Sequence, residues 1–433
     1  MSRSALVWTT VLTTLTVGIV GHTVGEAQLE TRGLQGLRAP VEIVTDRWGI
    51  NHIYADYETD LFFAQGYAAA RDRLFQFEIW RRQATGTVAE ILGRRELERD
   101  ISARLHQFRG DLITEMNHYH DRGQQIISAF VGGINAYIDQ TVKDPELLPI
   151  EFKLLGIEPQ HWTPEVVISR HQGLVGNVTQ EIDTARLVGL LGTDRVKELN
   201  YYYGDPDLTI DPAVDVSLLK NDILDLYRAH RRRVLFQPED VIADYRGDRN
   251  ALDRLASALP NEIDLEQQDY EAIGSNNWVV AAERSTSGAP LVASDPHIAF
   301  EAVSCWYEVV LQGGSFNVAG MAYVGIPAVM FGRTPQVAWG ITNNICSQRD
   351  LYQERTDESQ PGCFEFDGQW EPAGELIETI EVRGGDRVER TVRFSRNGPL
   401  VDDLLPAPAD QTGPVSLKWL GAYGGGWIEA LLG

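Results

Sequence analysis

The step from Gly274 to Ser275 gives this chain a residue type in a setting suited to catalysis. An acidic stretch containing Glu262, Asp264, Glu266, Asp269 and Glu271 ends there, and the strand-like run Ser275-Asn276-Asn277-Trp278-Val279-Val280 begins at once. A serine hydroxyl is a weak nucleophile until a base stands beside it. Cutting the Gly274–Ser275 bond would give Ser275 a free α-amino group, which titrates at about 8 in simple compounds. That amine can take the hydroxyl proton directly or through a water, so one residue supplies both nucleophile and base. Gly-Ser is also a common turn pair, so the surroundings must carry the argument. Competing chemistries lack their residues. There is no GxSxG elbow and no HExxH, and Cys305, Cys346 and Cys363 form no CxxC pair. Zinc catalysis is therefore disfavoured. His118 and His120 lie close together and read as a polar helix face.

The elements that must position this serine change character along the chain. Val41–Thr45 and Asn51–Ala55 alternate like strands around the turn Asp46-Arg47-Trp48-Gly49, a hairpin pattern. From Asp60 the apolar residues take a helical period through Trp80, with an interruption at Thr85-Gly86-Thr87. Helical signals continue to Ile138. A further helix is expected over Glu181–Leu191, stopped by Gly192, and another over Asn221–Val234. Pro238 to Ile273 is charged and reads as an exposed connector. After Ser275, strand patterns and Asn-Gly, Asp-Gly and Gly-Gly turns dominate. The order is helix-rich half, connector, β-rich half, with no internal repeat.

The 433 residues carry 62 acidic against 38 basic side chains, a net charge of −24. Such a surface repels phosphate backbones, which excludes nucleic-acid binding as the main activity and gives no reason to dock on anionic lipid. Met1-Ser-Arg3, the uncharged run Ala5–Val20 and the small residues around Gly25-Glu26-Ala27 have the layout of a secretory signal peptide over 1–27. The run is short for a membrane span, although an uncleaved anchor stays open. Export to the periplasm or outside is the expectation, with no stable membrane partner. In that compartment Cys346 and Cys363 could pair, leaving Cys305 as a small apolar residue.

Four stretches, in this order, resemble the penicillin acylase family of N-terminal-nucleophile hydrolases, which includes penicillin, cephalosporin and acyl-homoserine-lactone acylases. They are VEIVTDRWGINHIYA (41–55) with GYAAARDRLFQFEIWRRQATGTVAEILG (66–93); GNVTQEID (176–183); GSNNWVV (274–280); and ASDPHIAF (293–300) with GIPAVMFGRTPQVAWGITNN (325–344). The resemblance implies an α+β fold, a four-layer αββα sandwich of two antiparallel sheets between helical layers, with Ser275 opening a central strand. It implies an exported precursor that cuts itself before Ser275 and becomes an α/β heterodimer: a helix-rich α-chain over 28–235, a spacer over 236–274 and the start of a β-chain over 275–433. The family's large subunit is usually several times longer than the stretch after Ser275, so the β-chain is expected to be incomplete, without the family's second oxyanion donor.

Carried over by position, the resemblance makes Gly274–Ser275 the autocleavage bond and Ser275 the nucleophile. His297 is expected to hold the amine–hydroxyl geometry, and the Asn343 backbone N–H to feed the oxyanion hole. Val175, Ile298, Met330, Phe331 and Ile341 are implied as the apolar lining for an acyl group, though plain core explains them equally well. Glu181, Ser347 and Asp350 fall at the positions of a structural calcium site. Ser347 replaces an aspartate there, which weakens a site for an ion that takes 6–8 oxygens. No organic cofactor is implied. The implied activity is hydrolysis of an acyl–amide bond in a small acylated amine: a β-lactam side chain, an N-acyl homoserine lactone or a similar compound. The other reading is a non-catalytic exported binding or scaffold protein that keeps the fold.

Overall fold

The computed structural model describes residues 30–170, 178–200, 207–210, 212, 219, 221–246, 274–297, 303–342, 349–401 and 414–419. The expected signal segment, Val175, Ile298, Asn343, Cys346 and Ser347 lie outside the described residues. The chain divides into a short unit, Met1–Gln35, and a large one, Gly36–Gly433. In the short unit Arg32 pairs with Glu30 at 2.5 Å. All that follows concerns the large unit.

The expected hairpin is β1 (Val41–Thr45) and β2 (Asn51–Ala55). Asp46 closes its turn by accepting from the backbone N–H groups of Trp48 and Ile50 at 2.8 and 3.0 Å. The long helix follows as α1 (Glu58–Thr85), 28 residues ended by Gly86 at φ 62°, where a side chain would be strained. Next come α2 (Ala89–Leu92), α3 (Leu97–Leu105), α4 (Leu112–Tyr119), α5 (Gly123–Lys143), α6 (Ile150–Leu155), α7 (Pro164–Arg170), α8 (Val178–Leu191), α9 (Thr193–Leu199) and α10 (Asp225–Ala229). The helix expected over Asn221–Val234 stops at Ala229. Arg99 donates through its two terminal guanidinium nitrogens to the carbonyls of Arg232 and Arg233, which holds that run in a non-helical path.

The second half supplies β3 (Gly274–Val280), β4 (Leu291–His297), β5 (Trp306–Gly313), β6 (Phe316–Tyr323), β7 (Val329–Arg333), β8 (Ala338–Trp339), β9 (Arg349–Gln353), β10 (Cys363–Phe366), β11 (Gln369–Pro372), β12 (Gly374–Ile380), β13 (Val388–Ser395), β14 (Gly398–Pro399) and β15 (Val415–Trp419). The main sheet has six strands in the order β1-β2-β5-β6-β7-β8. It joins both halves of the chain, because β2 pairs with β5 with Ile53 opposite Leu311. That pair is parallel, so the sheet is mixed rather than antiparallel throughout. A parallel neighbour needs a long crossover, and the whole helix-rich half provides it.

On β5, Tyr307, Val309 and Leu311 are buried while Glu308 and Gln312 are exposed. One face of the sheet packs against α1, and the described residues show a helical layer on a sheet, not yet four layers. Beneath that sheet α1 crosses α5 at very close range. A Cβ on Gly66 would stand 2.0 Å from the Phe130 carbonyl oxygen, and one on Gly133 would stand 1.9 Å from that of Phe63. Two glycines thus let two backbones touch. A smaller core joins α3 and α10 to β12 and β13 through Leu97, Ile101, Leu105, Leu226, Ile380 and Val392.

One expectation is corrected here and another is met only in part. Among the described residues β3 pairs with β4 alone, in a two-stranded sheet, so the central position expected for the strand of Ser275 is not seen there. Its faces carry apolar side chains left open, with Val279 75% and Leu291 52% exposed, so no described strand or helix covers it. The Cys346–Cys363 bridge is also not made, since Cys363, on β10, is a free thiol.

Replacing Gly133 by alanine should force α1 and α5 apart. A loss of about 1–3 kcal/mol is expected, typical of overpacked cores, read as a lower urea midpoint with an unchanged slope.

Candidate active site

The β3–β4 register sets the geometry of the predicted site. Gly274 lies opposite His297, Ser275 opposite Pro296, Asn276 opposite Asp295 and Asn277 opposite Ser294. Side chains alternate across a strand, and directly opposed residues share a face. One face therefore carries Gly274, Asn276, Asp295 and His297. The other carries Ser275, Asn277 and Ser294. Ser275 and His297 are neighbours along the ladder but project to opposite faces.

On its own face His297 is held by two partners: Nε2 lies 3.0 Å from the Asp295 carboxylate and 3.4 Å from the Asn276 amide nitrogen. His297 stands directly across from the Gly274 backbone, next to the bond expected to be cut, and its carboxylate partner Asp295 stands across from Asn276. The face carrying Ser275 has a different neighbour. A Cβ on Gly340 would lie 2.9 Å from Asn277 Oδ1 and 3.0 Å from Ser294 Oγ. Only a glycine lets the segment after β8 lie this close. The Ser294 hydroxyl is buried and has no hydrogen-bond partner among the described residues. The main sheet aims this segment: β8 pairs with β7, and the Trp339 indole N–H donates to the Met330 carbonyl at 3.0 Å. Asn343 lies three residues beyond Gly340, outside the described residues.

Three of the residues expected to line an acyl pocket are described. Met330 and Phe331 are half-buried neighbours on β7, and Ile341 is half-buried just after Gly340. Phe331 stacks edge-on against Trp306 with centroids 4.8 Å apart. A wide cleft lined by Tyr54, Asp56, Gln312 and Ser315 touches none of the predicted site residues.

The predicted calcium ligands do not fit as described. Glu181 is exposed on α8, whose Val178 and Ile182 share a core with Leu351 and Leu417. Asp350 alternates onto the other face of β9, opposite Lys418. Among the described residues no three His, Cys, Asp or Glu side chains group as metal ligands. Ser347, the third expected position, lies outside the described residues, and the two described carboxylates alone do not supply the 6–8 oxygens calcium takes.

The sequence matches the family described as Penicillin amidase over residues 40–432. The chain belongs to the penicillin amidase family. It is 31% identical over 373 residues to the Penicillin acylase 2 proenzyme of Pseudomonas sp. (strain SE83), covering 85% of this chain and 44% of that protein. It is 28% identical over 390 residues to the acyl-homoserine lactone acylase QuiP of Pseudomonas aeruginosa, covering 89% of this chain and 43% of that one. The chain thus spans less than half the length of these relatives. Among solved structures it is similar to a thermostable penicillin G acylase from Alcaligenes faecalis, with 26% identity and a TM-score of 0.34 over 41% of this chain and 98% of that one.

Sequence reasoning in this family member missed Gly340, Ser294 and the Asp295–His297 pair as parts of the site. The pair was legible in principle, since residues two apart on a strand share a face. Gly340 was not, because its close approach depends on where the sheet carries β8.

A second cluster of titratable groups lies away from the hairpin. His106 and His230 stack with centroids 4.5 Å apart. His106 Nδ1 donates to the Ser102 carbonyl at 2.7 Å, and the Ser102 hydroxyl meets His230 Nδ1 at 3.0 Å. Burial, then the positive charges of Arg349, Arg231 and Arg109, push His106 down to about 3. Burial, then His106, Arg231 and Arg349, lower His230 well below the usual value. Both rings are therefore neutral in the fold. Protons bind the unfolded chain first, so stability should fall as pH drops from about 6.5 toward about 3. Asp100, pushed up to about 6 by its burial, works the opposite way between about 4 and 6. Its shift is the smaller, and it faces two histidines. Urea melts across this range should show His106→Gln flattening the acid loss; an unchanged slope in that variant would contradict the assignment.

Proposed function

We propose that this chain is an exported, self-processing acylase that hydrolyses an acyl–amide bond with Ser275 as its N-terminal nucleophile. The observation that carries the reading is the β3–β4 register: Ser275 shares one face with Asn277 and Ser294, against which Gly340 lies, and on the other face His297, paired with Asp295, stands opposite Gly274. The four-layer sandwich, removal of segment 1–27 and formation of a two-chain protein belong to the same proposal.

In the processing step Ser275 Oγ attacks the Gly274 carbonyl carbon. The C–N bond breaks, leaving Gly274 as an ester on Oγ and freeing the Ser275 amine, which takes a proton. Water then hydrolyses the ester and releases the Gly274 carboxylate. His297 beside Gly274 is suited to moving the protons of this step. In turnover the Ser275 amine accepts the hydroxyl proton as Oγ attacks the substrate carbonyl. The oxyanion is met by the Asn343 backbone N–H, and the proton passes to the leaving amine. Water releases the acid from the acyl-serine.

The names of the relatives support β-lactam amides and N-acyl homoserine lactones as substrate classes. Met330, Phe331 and Ile341 would seat the acyl part by burying apolar surface.

Release of free amine from an acyl homoserine lactone and from a penicillin, with chain cleavage followed by gel, tests the reading. Ser275→Ala should abolish both cleavage and amine release; amine release at the wild-type rate would refute it. Gly340→Ala, acting through the segment it positions, should lower kcat by ~10²–10³, as loss of an oxyanion donor does, with little change in KM. Binding of the acylated amine without turnover in the wild-type chain would favour the scaffold reading.

A further inference from the structure

The segment read as the start of an exposed connector keeps an open outer face, with Phe236, Gln237, Glu239 and 243–246 exposed, but is pinned to the body at Asp240 and Ile242. Past Ala229 the chain turns and then runs without helix from Arg233 to Gln237, with Phe236 against Phe75 at 5.7 Å between centroids. Asp240 is 6% exposed and forms an ion pair with Arg95 at 2.6 Å. The same carboxylate accepts from the Gln237 backbone N–H at 2.6 Å. The Ile242 N–H donates to the Leu154 carbonyl at 2.8 Å. The Ile242 side chain fills the space a side chain would need at Gly156, 2.8 Å from where its Cβ would stand. Arg246 closes the run by donating to the carbonyls of Val241 and Glu239 at 2.7 and 2.8 Å.

A side chain from the other half of the molecule holds this run down. Arg383 lies between β12 and β13. Its backbone N–H donates to the Ala89 carbonyl at 2.9 Å. Its guanidinium donates to the carbonyls of Ile91 at 2.8 Å, Asp240 at 3.3 Å and Leu155 at 3.3 Å. One planar fork thus gathers three separate segments of the first half. Hydrogen bonds from a charged donor are worth more than neutral ones. A buried Asp240 stripped of Arg95 would be an uncompensated charge.

We infer that residues 235–246 are not spacer but a strap that stays with the α-chain after processing, and that Arg383 of the β-chain docks on it. The spacer then begins beyond Arg246. This inference rests on the processing proposed above, and its test separates the two. The intact masses of both chains are measured after expression of the full-length protein. A β-chain beginning at Ser275 with an α-chain running through Arg246 supports the strap. An α-chain ending before Asp240 in a folded two-chain protein overturns it.

If no cleavage occurs before Ser275, the processing proposal fails while the strap is still tested, by limited digestion of the intact chain with a broad-specificity protease. First cuts outside 235–246 support the strap, and first cuts inside it refute it. Arg383→Ala should make cutting inside the strap about tenfold faster; an unchanged rate would overturn the docking role. Arg383→Lys keeps the charge but loses the fork, and should fall between the two.

Discussion

The parallel pairing of β2 with β5 is the constraint on which the rest of the structure depends. It is the place where a strand from the helix-rich half enters the sheet of the β-rich half. A partly buried polar network secures it. The Asn51 amide donates to Asp72 at 2.7 Å and to the Tyr307 hydroxyl at 2.6 Å, and that hydroxyl donates to Asp72 at 2.7 Å. Asn51 is fully buried, so each of these bonds replaces one to water, and losing a partner would leave an unsatisfied group in the core. Burial and the Asp72 charge both raise the Tyr307 hydroxyl above its usual pKa, which keeps it a donor. The network ties β2, α1 and β5 at one point.

Everything downstream inherits its position from that seam. β5 sets β6 by antiparallel pairing, β6 sets β7 and β7 sets β8. The end of β8 brings Gly340 against Asn277 and Ser294. The nucleophile's hairpin is therefore addressed by the main sheet without being part of it. Ser275 and His297 lie on two faces of the hairpin, and in the proposed mechanism this divides the labour: the histidine would serve the Gly274 side of the bond, and the segment leading to Asn343 the hydroxyl side.

Much of this was legible in the sequence. The β1–β2 hairpin followed from Asp46 and Gly49, and α1 followed from its helical period and its stop at Gly86. The family was legible from ordered motifs that span nearly the whole chain. The rest depended on distant contacts. Nothing local marks β2 as a parallel neighbour of β5, because hundreds of residues separate them. That the charged run after Pro238 is anchored at Asp240 could not be read in the sequence, because composition does not reveal that Arg95 and Arg383 wait for that residue. Ser275 was expected at the centre of a sheet, and among the described residues its strand has one partner.

The central claim is that Ser275 acts with its own amine, so the most direct measurement is the N-terminal sequence of the protein after expression of the full chain. The account predicts a new chain beginning Ser-Asn-Asn-Trp. A folded protein that releases amine from an acylated substrate while its Gly274–Ser275 bond is intact would contradict it.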